Sequence, residues 1–171
     1  ADFMGGEDKL VEYLDDFFEK DLYYVGDEFS MHAPYIYNSL GAPWRTQKVV
    51  RDMLAKYFFN DVGGLPGNDD CGQVSSWYVF GAMGFYPALP GQPVYQLCSP
   101  VLDKVEMNVG AGKVFTVVAN NNSKDNAYIQ SATLNGKPDN KSGLHHDDVV
   151  QGGELVFEMG ANPNKKWGLE K

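Results

Sequence analysis

The chain of 171 residues is 43% hydrophobic and 22% charged, a composition typical of globular proteins, and is long enough for one sizeable domain or two small ones. Its formal net charge is −9 with no cluster of Lys and Arg, and repulsion from phosphates argues against a nucleic-acid partner. It lacks the run of about 20 apolar residues that a membrane-spanning helix needs. We therefore expect a soluble protein with neutral or cationic ligands and no membrane span.

The chain start and the cysteines add two expectations. The first residues, ADFMGGEDKL, include no initiator Met and none of the basic and apolar regions of a signal peptide. They resemble the interior of a longer sequence, so the compartment cannot be inferred from them. Cys71 and Cys98 are the two cysteines and form no Cys-x-x-Cys pair. This predicts neither a disulfide framework nor a zinc site, and a disulfide between the two is the less favoured alternative.

The first half of the chain has the periodicity of amphipathic helices. In EDKLVEYLDDFFEKD (7–21) apolar residues recur at helical spacing, with acids on the other face. A proline suited to a first turn begins a second helix, PWRTQKVVRDMLAKYFF (43–59). A third helix is predicted over 73–83, where Gly84 ends it. A shorter helix is expected within SMHAPYIYNSLG (30–41).

After Pro90 the apolar period changes to that of β-strands, and Gly, Asn and Pro separate the stretches. Asn135-Gly136 is typical of a hairpin turn. Helices followed by strands, without alternation, predict an α+β fold. We define residues 1–90 as the helical segment and residues 91–171 as the sheet region, an antiparallel sheet or sandwich. The predicted strands are DKVEMNV (103–109), KVFTVVA (113–119), AYIQSATL (127–134) and ELVFEMG (154–160).

The stretch GNDDCGQ (67–73) places two consecutive acids, Asp69 and Asp70, directly before the third predicted helix. One interpretation is structural, because Asn and Asp side chains accept hydrogen bonds from the first turn of a helix and glycines free the backbone. The other is catalytic. Paired carboxyl groups near aromatic residues are the groups that glycoside hydrolysis uses. Candidate sugar-stacking rings are Tyr35, Tyr37, Trp44, Trp77 and Tyr78, although most of them are expected in the core.

Other motifs are excluded or left open. The acidic turn lacks the alternating oxygen ligands of an EF-hand and is not a P-loop, and three histidines leave few choices for a Ser-His-Asp triad. LHHDD (144–148) is interpreted as a solvated loop rather than a metal site, because adjacent side chains point in different directions. His32 is compatible with either a structural or a ligand-facing role.

Several long motifs closely resemble the C-terminal part of the α-mannosidases of glycoside hydrolase family 92. They cover nearly the whole chain and occur in the order in which the family has them. The motifs are GGLPGNDDCGQVSSWYVFGAMGFYPALPG, APYIYNSLGAPWRTQKVVRDMLAKYF, YQLCSPVLDKVEMNVGAGKVFTVVA and NAYIQSATLNGKP.

This resemblance implies a calcium-dependent exo-acting enzyme that removes mannose from α-mannosides, commonly α-1,2-linked, with inversion at the anomeric carbon. In that family an N-terminal β-sandwich precedes an (α/α)6 barrel that holds the active site. The helical segment would then be the last helices of the barrel, and the sheet region would be the C-terminal β-region. Glycan-degrading bacterial members are usually exported, which implies a periplasmic or extracellular location.

The resemblance also assigns residues. Asp70 matches the position of the general base, and Asp69 is a candidate supporting carboxylate, because members often have an acid where this chain has Asn68. YVGDEFSMHAPYIYN (24–38) resembles a segment of the calcium and substrate region. There Asp27, a candidate metal ligand, replaces the usual Asn. Glu28 matches a Glu and, with His32, is a candidate for substrate binding.

One functional group of the family has no counterpart here. Its general acid is a glutamate in a motif upstream of the matched region, and that motif does not occur in these residues. We therefore expect the chain alone to hydrolyse mannosides negligibly. Two alternatives stay open at this point: a non-catalytic carbohydrate-binding module, and a phosphorylase or hydrolase of another sugar on a related (α/α)6 scaffold.

Overall fold

The computed structural model of the protein describes residues 1–170. Helices occupy the first half, and strands fill most of the second half. Three 3-10 turns, at Asp2–Met4, Glu28–Ser30 and Ala33–Tyr35, accompany the helices. The helices are α1 (Glu7–Glu19), α2 (Ile36–Ser39), α3 (Pro43–Tyr57), α4 (Gln73–Met83) and α5 (His146–Val150); the strands are β1 (Phe85–Tyr86), β2 (Val94–Leu97), β3 (Lys104–Gly110), β4 (Lys113–Asn120), β5 (Tyr128–Leu134), β6 (Lys137–Pro138), β7 (Gly143–His145) and β8 (Gly153–Gly160).

The three long helices begin where the sequence predicts; α4 also ends as predicted, whereas α1 and α3 each end two residues earlier. α1 has Glu7 and Asp8 in its first turn, where negative charge opposes the helix dipole favourably, and α3 begins with Pro43. α4 ends at Gly84, which has a φ of 102° that a residue without a side chain adopts most easily. After its polar first turn α4 consists of apolar and aromatic residues and has no charged side chain, unlike α1 and α3.

The strands form two sheets. A three-stranded antiparallel sheet has the order β1-β2-β7, and a five-stranded sheet has the order β3-β4-β8-β5-β6. In the larger sheet β4 and β8 run parallel, and the other pairs are antiparallel. The β5–β6 connection turns at Asn135 and Gly136, with φ of 52° and 76°, as the hairpin signal predicts.

The core consists of two hydrophobic clusters, and each includes a residue from the other half: Phe85 lies in the cluster of the sheets and Cys98 in the cluster of the helices. Phe115, Ile129 and Phe157 of the larger sheet pack in one cluster with residues of the smaller sheet, so the two sheets face each other. Trp77 is fully buried in a second cluster formed by the helices. The ring of Phe80 contacts both clusters, and therefore couples the helical segment to the sheet region.

Three polar side chains also join the halves. Asn38 donates to the carbonyl oxygens of Leu97 and Ser142 at 2.9 and 3.2 Å. The Gln47 carbonyl oxygen accepts from the Ile129 N–H at 2.9 Å. Because each bond is formed by a side chain of the helical segment, these contacts fix the helices against the strands.

The Arg51 guanidinium makes the third connection. It donates to the Ser99 hydroxyl at 3.0 Å and to the Ser123 carbonyl at 2.7 Å, and it also bonds Pro100 and Asn122. Burial lowers the pKa of Arg51 from its ordinary value. The arginine therefore anchors α3 to two loops of the sheet region.

The α+β class is confirmed, with differences in detail. The larger sheet is mixed rather than wholly antiparallel. The expected helix over 30–41 consists of two 3-10 turns and the one-turn helix α2, since Pro34 interrupts the segment. Residues 144–148 are not a loop, because they end β7 and begin α5. The short strands β1, β2 and β7 were not predicted.

Two further expectations concern the cysteines and the domains. Cys71 is exposed and Cys98 is buried, and both thiols are free. Burial raises the pKa of the Cys98 thiol to about 12. β1 of the helical segment pairs with β2 of the sheet region, and the division at residue 90 stays a prediction. None of the helices within residues 1–170 combines the length and hydrophobicity needed to cross a bilayer.

Candidate active site

Two acidic turns, distant in sequence, lie against each other at the start of α4. One turn contains Asp27 and Glu28, and the other is the stretch 67–72. Gly67 has a φ of 65°, and a Cβ atom there would lie 2.5 Å from the carbonyl oxygen of Gly26. Glycine is therefore required at position 67 by both conformation and space. This backbone contact brings the two acid-bearing segments of the sequence analysis together.

Asp69 caps helix α4. One carboxylate oxygen accepts the Ser75 N–H at 2.8 Å, and the other accepts the Ser75 hydroxyl at 3.1 Å. The Asp69 carbonyl oxygen accepts the N–H groups of Gly72, Gln73 and Val74. These bonds satisfy N–H groups that the first turn of a helix leaves free. The carboxylate is exposed, but both of its oxygens already accept hydrogen bonds from Ser75. The catalytic role of Asp69 stays a prediction.

Asp70 is exposed like its neighbour but differs from it in its hydrogen bonds. Its side chain is exposed and makes no hydrogen bond to any group in residues 1–170. Its φ is 43°, and Cys71 follows with a φ of 60°, so two successive non-glycine residues are left-handed. Each such residue costs about 1 kcal/mol or more, and strained backbone of this kind occurs preferentially at functional sites.

The turn on the other side is also exposed. The Asp27 carboxylate accepts the Phe29 N–H at 3.3 Å through one oxygen. Glu28 and His32 are exposed, and within residues 1–170 their side chains make no hydrogen bond. Both face solvent, and Asp27 retains one carboxylate oxygen without a protein donor.

Buried aromatic rings connect α4 to the segment that follows the turn of Asp27 and Glu28. The Trp77 Nε1–H donates to the carbonyl oxygen of Met31 at 3.0 Å. The Tyr35 ring lies against Trp77 at 6.4 Å and stacks on Tyr86 at 5.0 Å. Tyr35, Tyr37 and Trp77 are therefore core residues, as expected of most of the aromatic candidates, whereas Tyr78 is 40% exposed.

Tyr23 and Tyr86 are buried in the cluster formed by the helices. The Tyr23 hydroxyl is buried and has no hydrogen-bond partner within residues 1–170. Burial raises the pKa of Tyr23 above its ordinary range, with smaller contributions from Tyr86, Tyr57 and Asp27. The Tyr86 hydroxyl accepts a hydrogen bond from the Gln73 amide at 2.9 Å. The sequence did not single out Gln73, Ser75 or Tyr86, although all three lie within the motif 63–91.

Residues 1–170 contain no group of three or more His, Cys, Asp or Glu side chains that could hold a metal ion. The histidine pair of the sequence analysis lies in the sheet region instead. His145 is exposed at the end of β7, and His146 Nδ1 lies 2.8 Å from the Tyr95 hydroxyl. Residues 1–170 therefore do not form a complete side-chain site for calcium around the candidate ligand Asp27.

Two adjacent turns that expose carboxylates are compatible with glycoside hydrolysis, which uses a pair of carboxyl groups. Residues 1–161 match the family described as "Glycosyl hydrolase family 92 catalytic domain". The chain belongs to glycosyl hydrolase family 92.

Relatives support this assignment. A protein of Arthroderma benhamiae described as an uncharacterized secreted glycosidase is 36% identical over 168 residues, which are 96% of this chain and 22% of that protein. The family GH92 α-mannosidase BT3965 of Bacteroides thetaiotaomicron superposes with a TM-score of 0.92 at 35% identity, over 96% of this chain and 23% of that one. The inverting GH92 mannosidase BT2199 of the same organism gives a TM-score of 0.89 at 35% identity, over 99% and 26%.

The chain thus spans about a quarter of the length of these relatives. The fold agreement nevertheless extends through both the helical segment and the sheet region, because each structural match covers at least 96% of this chain.

Proposed function

We propose that this chain supplies the general base of an exo-acting α-mannosidase that inverts the anomeric carbon and acts on α-linked, above all α-1,2-linked, mannosides. The observation that carries the proposal is the contrast at the acidic turn. Asp69 is hydrogen-bonded into α4, whereas the Asp70 carboxylate is exposed and unbonded within residues 1–170. A free carboxylate on a fixed turn can accept a proton from water. Two solved relatives are described as mannosidases, one of them inverting.

In this reaction Asp70 accepts a proton from water while the water oxygen bonds to the anomeric carbon and the bond to the leaving oxygen breaks. A general acid protonates the leaving oxygen. Inverting enzymes place the two carboxyl groups roughly 6.5–9.5 Å apart, so that water fits between the base and the sugar. Glu28 and His32, exposed on the neighbouring turn, are the groups that we assign to sugar hydroxyls.

Calcium is proposed at Asp27, and the donor chemistry of the turn fits this ion in part. Asp27 has one carboxylate oxygen without a protein donor, and Glu28 beside it is exposed. Carboxylate and carbonyl oxygens are the ligands that calcium takes, about six to eight in number. Residues 1–170 do not supply the full set as a side-chain cluster, and the rest of the set would come from water and from other parts of the polypeptide. When bound, the ion would hold sugar hydroxyls and favour ring distortion.

We further propose that the chain works as part of a longer, exported polypeptide with an N-terminal β-sandwich and the remainder of a helical barrel. Relatives are about four times as long, and one of them is described as secreted. α4 exposes Tyr78 and Val79 by 40% and 51%, although after its polar first turn the helix consists of apolar and aromatic residues. A helix of this type is normally buried. The general acid belongs to that remainder.

The test is mannose release from α-1,2-mannobiose by the natural polypeptide that carries these residues, followed by proton NMR. We expect the β-anomer of mannose to appear first, activity to fall on chelation and return with calcium, and the 171-residue chain alone to be inactive. A matched substrate with an α-1,6 linkage measures the linkage preference.

Other outcomes would contradict the proposal in distinct ways. Release of the α-anomer first would exclude inversion, and full activity in the presence of a chelator would exclude the calcium role. Turnover by the 171-residue chain at the rate of the natural polypeptide would show that no external general acid is needed. Saturable mannoside binding without any turnover would favour a carbohydrate-binding module instead.

A further inference from the structure

Gln73, the first residue of α4, is held at both its ends. Its backbone N–H donates to the carbonyl oxygens of Asp69 at 2.7 Å and Asp70 at 3.3 Å. Its side-chain amide donates to the Tyr86 hydroxyl at 2.9 Å. The residue therefore connects the backbone of both acids to a point in the core.

The Tyr86 hydroxyl is held in a well-packed part of the core. Tyr86 is 6% exposed, and its ring stacks on Tyr35 with centroids 5.0 Å apart and planes 21° apart. Trp77 and Phe80 pack against the same ring at 6.4 and 6.3 Å. Burial raises the pKa of Tyr86, and the hydrogen bond from Gln73 opposes this effect in part. The hydroxyl is consequently neutral at physiological pH and is fixed in place by the rings around it.

The acidic turn requires such an anchor. Asp70 and Cys71 are both left-handed, and strained conformations persist only where the surrounding structure imposes them. The Asp70 carboxylate makes no hydrogen bond within residues 1–170, so the direction in which this side chain leaves the turn is set by the backbone and not by a side-chain partner. On one side Asp69 is fixed by Ser75. On the other side the fixed residue is Gln73.

We propose that Gln73, anchored by the Tyr86 hydroxyl, is a positioning residue that sets the direction of the Asp70 carboxylate. The inference rests on the proposed role of Asp70 as general base. It goes beyond that role, because it assigns the orientation of the Asp70 carboxylate to two residues that do not touch the reacting atoms.

The test uses three variants of the natural polypeptide. Tyr86→Phe removes one hydroxyl and keeps the ring stack, and Gln73→Met removes the amide and keeps its length. Both should lower kcat about tenfold with KM changed less than about twofold, because a misdirected base weakens the transition state rather than substrate binding. Gln73→Glu restores a hydrogen bond, since the Tyr86 hydroxyl can donate to a carboxylate. It should retain more kcat than Gln73→Met at high pH.

Rescue of kcat in Gln73→Glu relative to Gln73→Met is the readout that separates positioning from a purely structural role. Thermal unfolding of each variant is measured alongside, and the loss and recovery of kcat should not follow the stability. Ser76→Ala is the matched control, because Ser76 is an exposed residue of the same helix, and it should leave kcat and KM unchanged.

The outcomes separate this inference from the proposed function. Unchanged kcat in Tyr86→Phe and Gln73→Met, with Asp70→Asn inactive, would overturn the positioning role and leave the base assignment intact. Full activity of Asp70→Asn would overturn both. If Tyr86→Phe fails to fold, the two Gln73 variants decide, and a kcat of Gln73→Glu no higher than that of Gln73→Met rejects the proposal.

Discussion

The sheet region buries its large apolar side chains more completely than the helical segment does. In the part of the sheet region that the structure describes, the most exposed of them, Leu102 and Leu169, are each 48% exposed. In the helical segment Phe29 is 81% exposed, Phe59 is 57% exposed and Val62 is fully exposed. The two facing sheets thus form a self-contained core, whereas the helices leave an apolar surface without a partner within residues 1–170.

The candidate site lies in the helical segment, which is the half with the more exposed apolar side chains. Asp27, Glu28 and Asp70 all stand in the helical segment, on turns whose side chains face solvent. The sheet region contributes through anchoring contacts, such as the Arg51 bonds to residues 99–123. The sheets thus hold the helices in place, and the proposed remainder of the polypeptide would complete the site around the acids.

The largest effect on stability is expected from Phe157→Ala in the sheet region. Phe157 is fully buried between the sheets and contacts the edge of Trp167 at 6.4 Å. The substitution leaves a cavity and should lower the free energy of unfolding of the chain by about 3–5 kcal/mol. Urea unfolding measures it, with Val114→Ala at an exposed position of β4 as the control. A loss below about 1 kcal/mol in Phe157→Ala would show that this core is not self-contained.

A smaller loss of stability is expected from a substitution where the helical segment meets the sheet region. Arg51→Met removes four hydrogen bonds between α3 and the sheet region and should cost about 2–3 kcal/mol, because partly buried acceptors lose a charged donor. Hydrogen exchange should rise in α3 more than in β8. The control is Lys48→Met, which breaks an exposed ion pair with Asp52 on the same helix and should cost less than about 0.5 kcal/mol. Equal losses in both variants would contradict the anchoring role.

The smallest effect on the isolated chain is expected on the uncovered face of α4. Val79 is 51% exposed, and Val79→Ser should change the stability of the 171-residue chain by no more than about 0.5 kcal/mol. In the natural polypeptide the same substitution should cost at least about 1 kcal/mol, because that face would be buried. Differential scanning calorimetry on both proteins makes the comparison. Equal changes in the two proteins would show that the face remains exposed.

Much of the fold could be predicted from the sequence where a local signal is strong. The period of α1 and α3, the glycine after α4 and the Asn135-Gly136 turn all identify their elements. The strands β1, β2 and β7 have two to four residues each, too few for a period to emerge, and they exist because they pair with one another. The parallel pairing of β4 and β8 is likewise a long-range property that no local pattern encodes.

Spacing alone draws attention to both acids of the candidate site but does not distinguish them, and the roles that the resemblance assigns to Asp70 and Asp69 stay predictions. Asp69 and Asp70 are adjacent and chemically identical, and spacing cannot say which one caps α4. The difference comes from the left-handed backbone at 70–72, which directs Asp69 towards Ser75 and frees Asp70. The Gly26–Gly67 contact that joins the two turns depends on tertiary packing and has no sequence signal beyond the glycines themselves.

The most direct measurement of the central claim compares Asp70→Asn with Asp69→Ala in the natural polypeptide, by kcat for mannoside hydrolysis and by thermal unfolding. General-base catalysis contributes typically about 10²–10⁴ in rate, so Asp70→Asn should lower kcat by that factor and leave stability unchanged. Asp69→Ala should lose about 1 kcal/mol of stability with the helix cap and a smaller part of kcat. Wild-type turnover in Asp70→Asn, or an inactive and fully stable Asp69→Ala, would contradict the account.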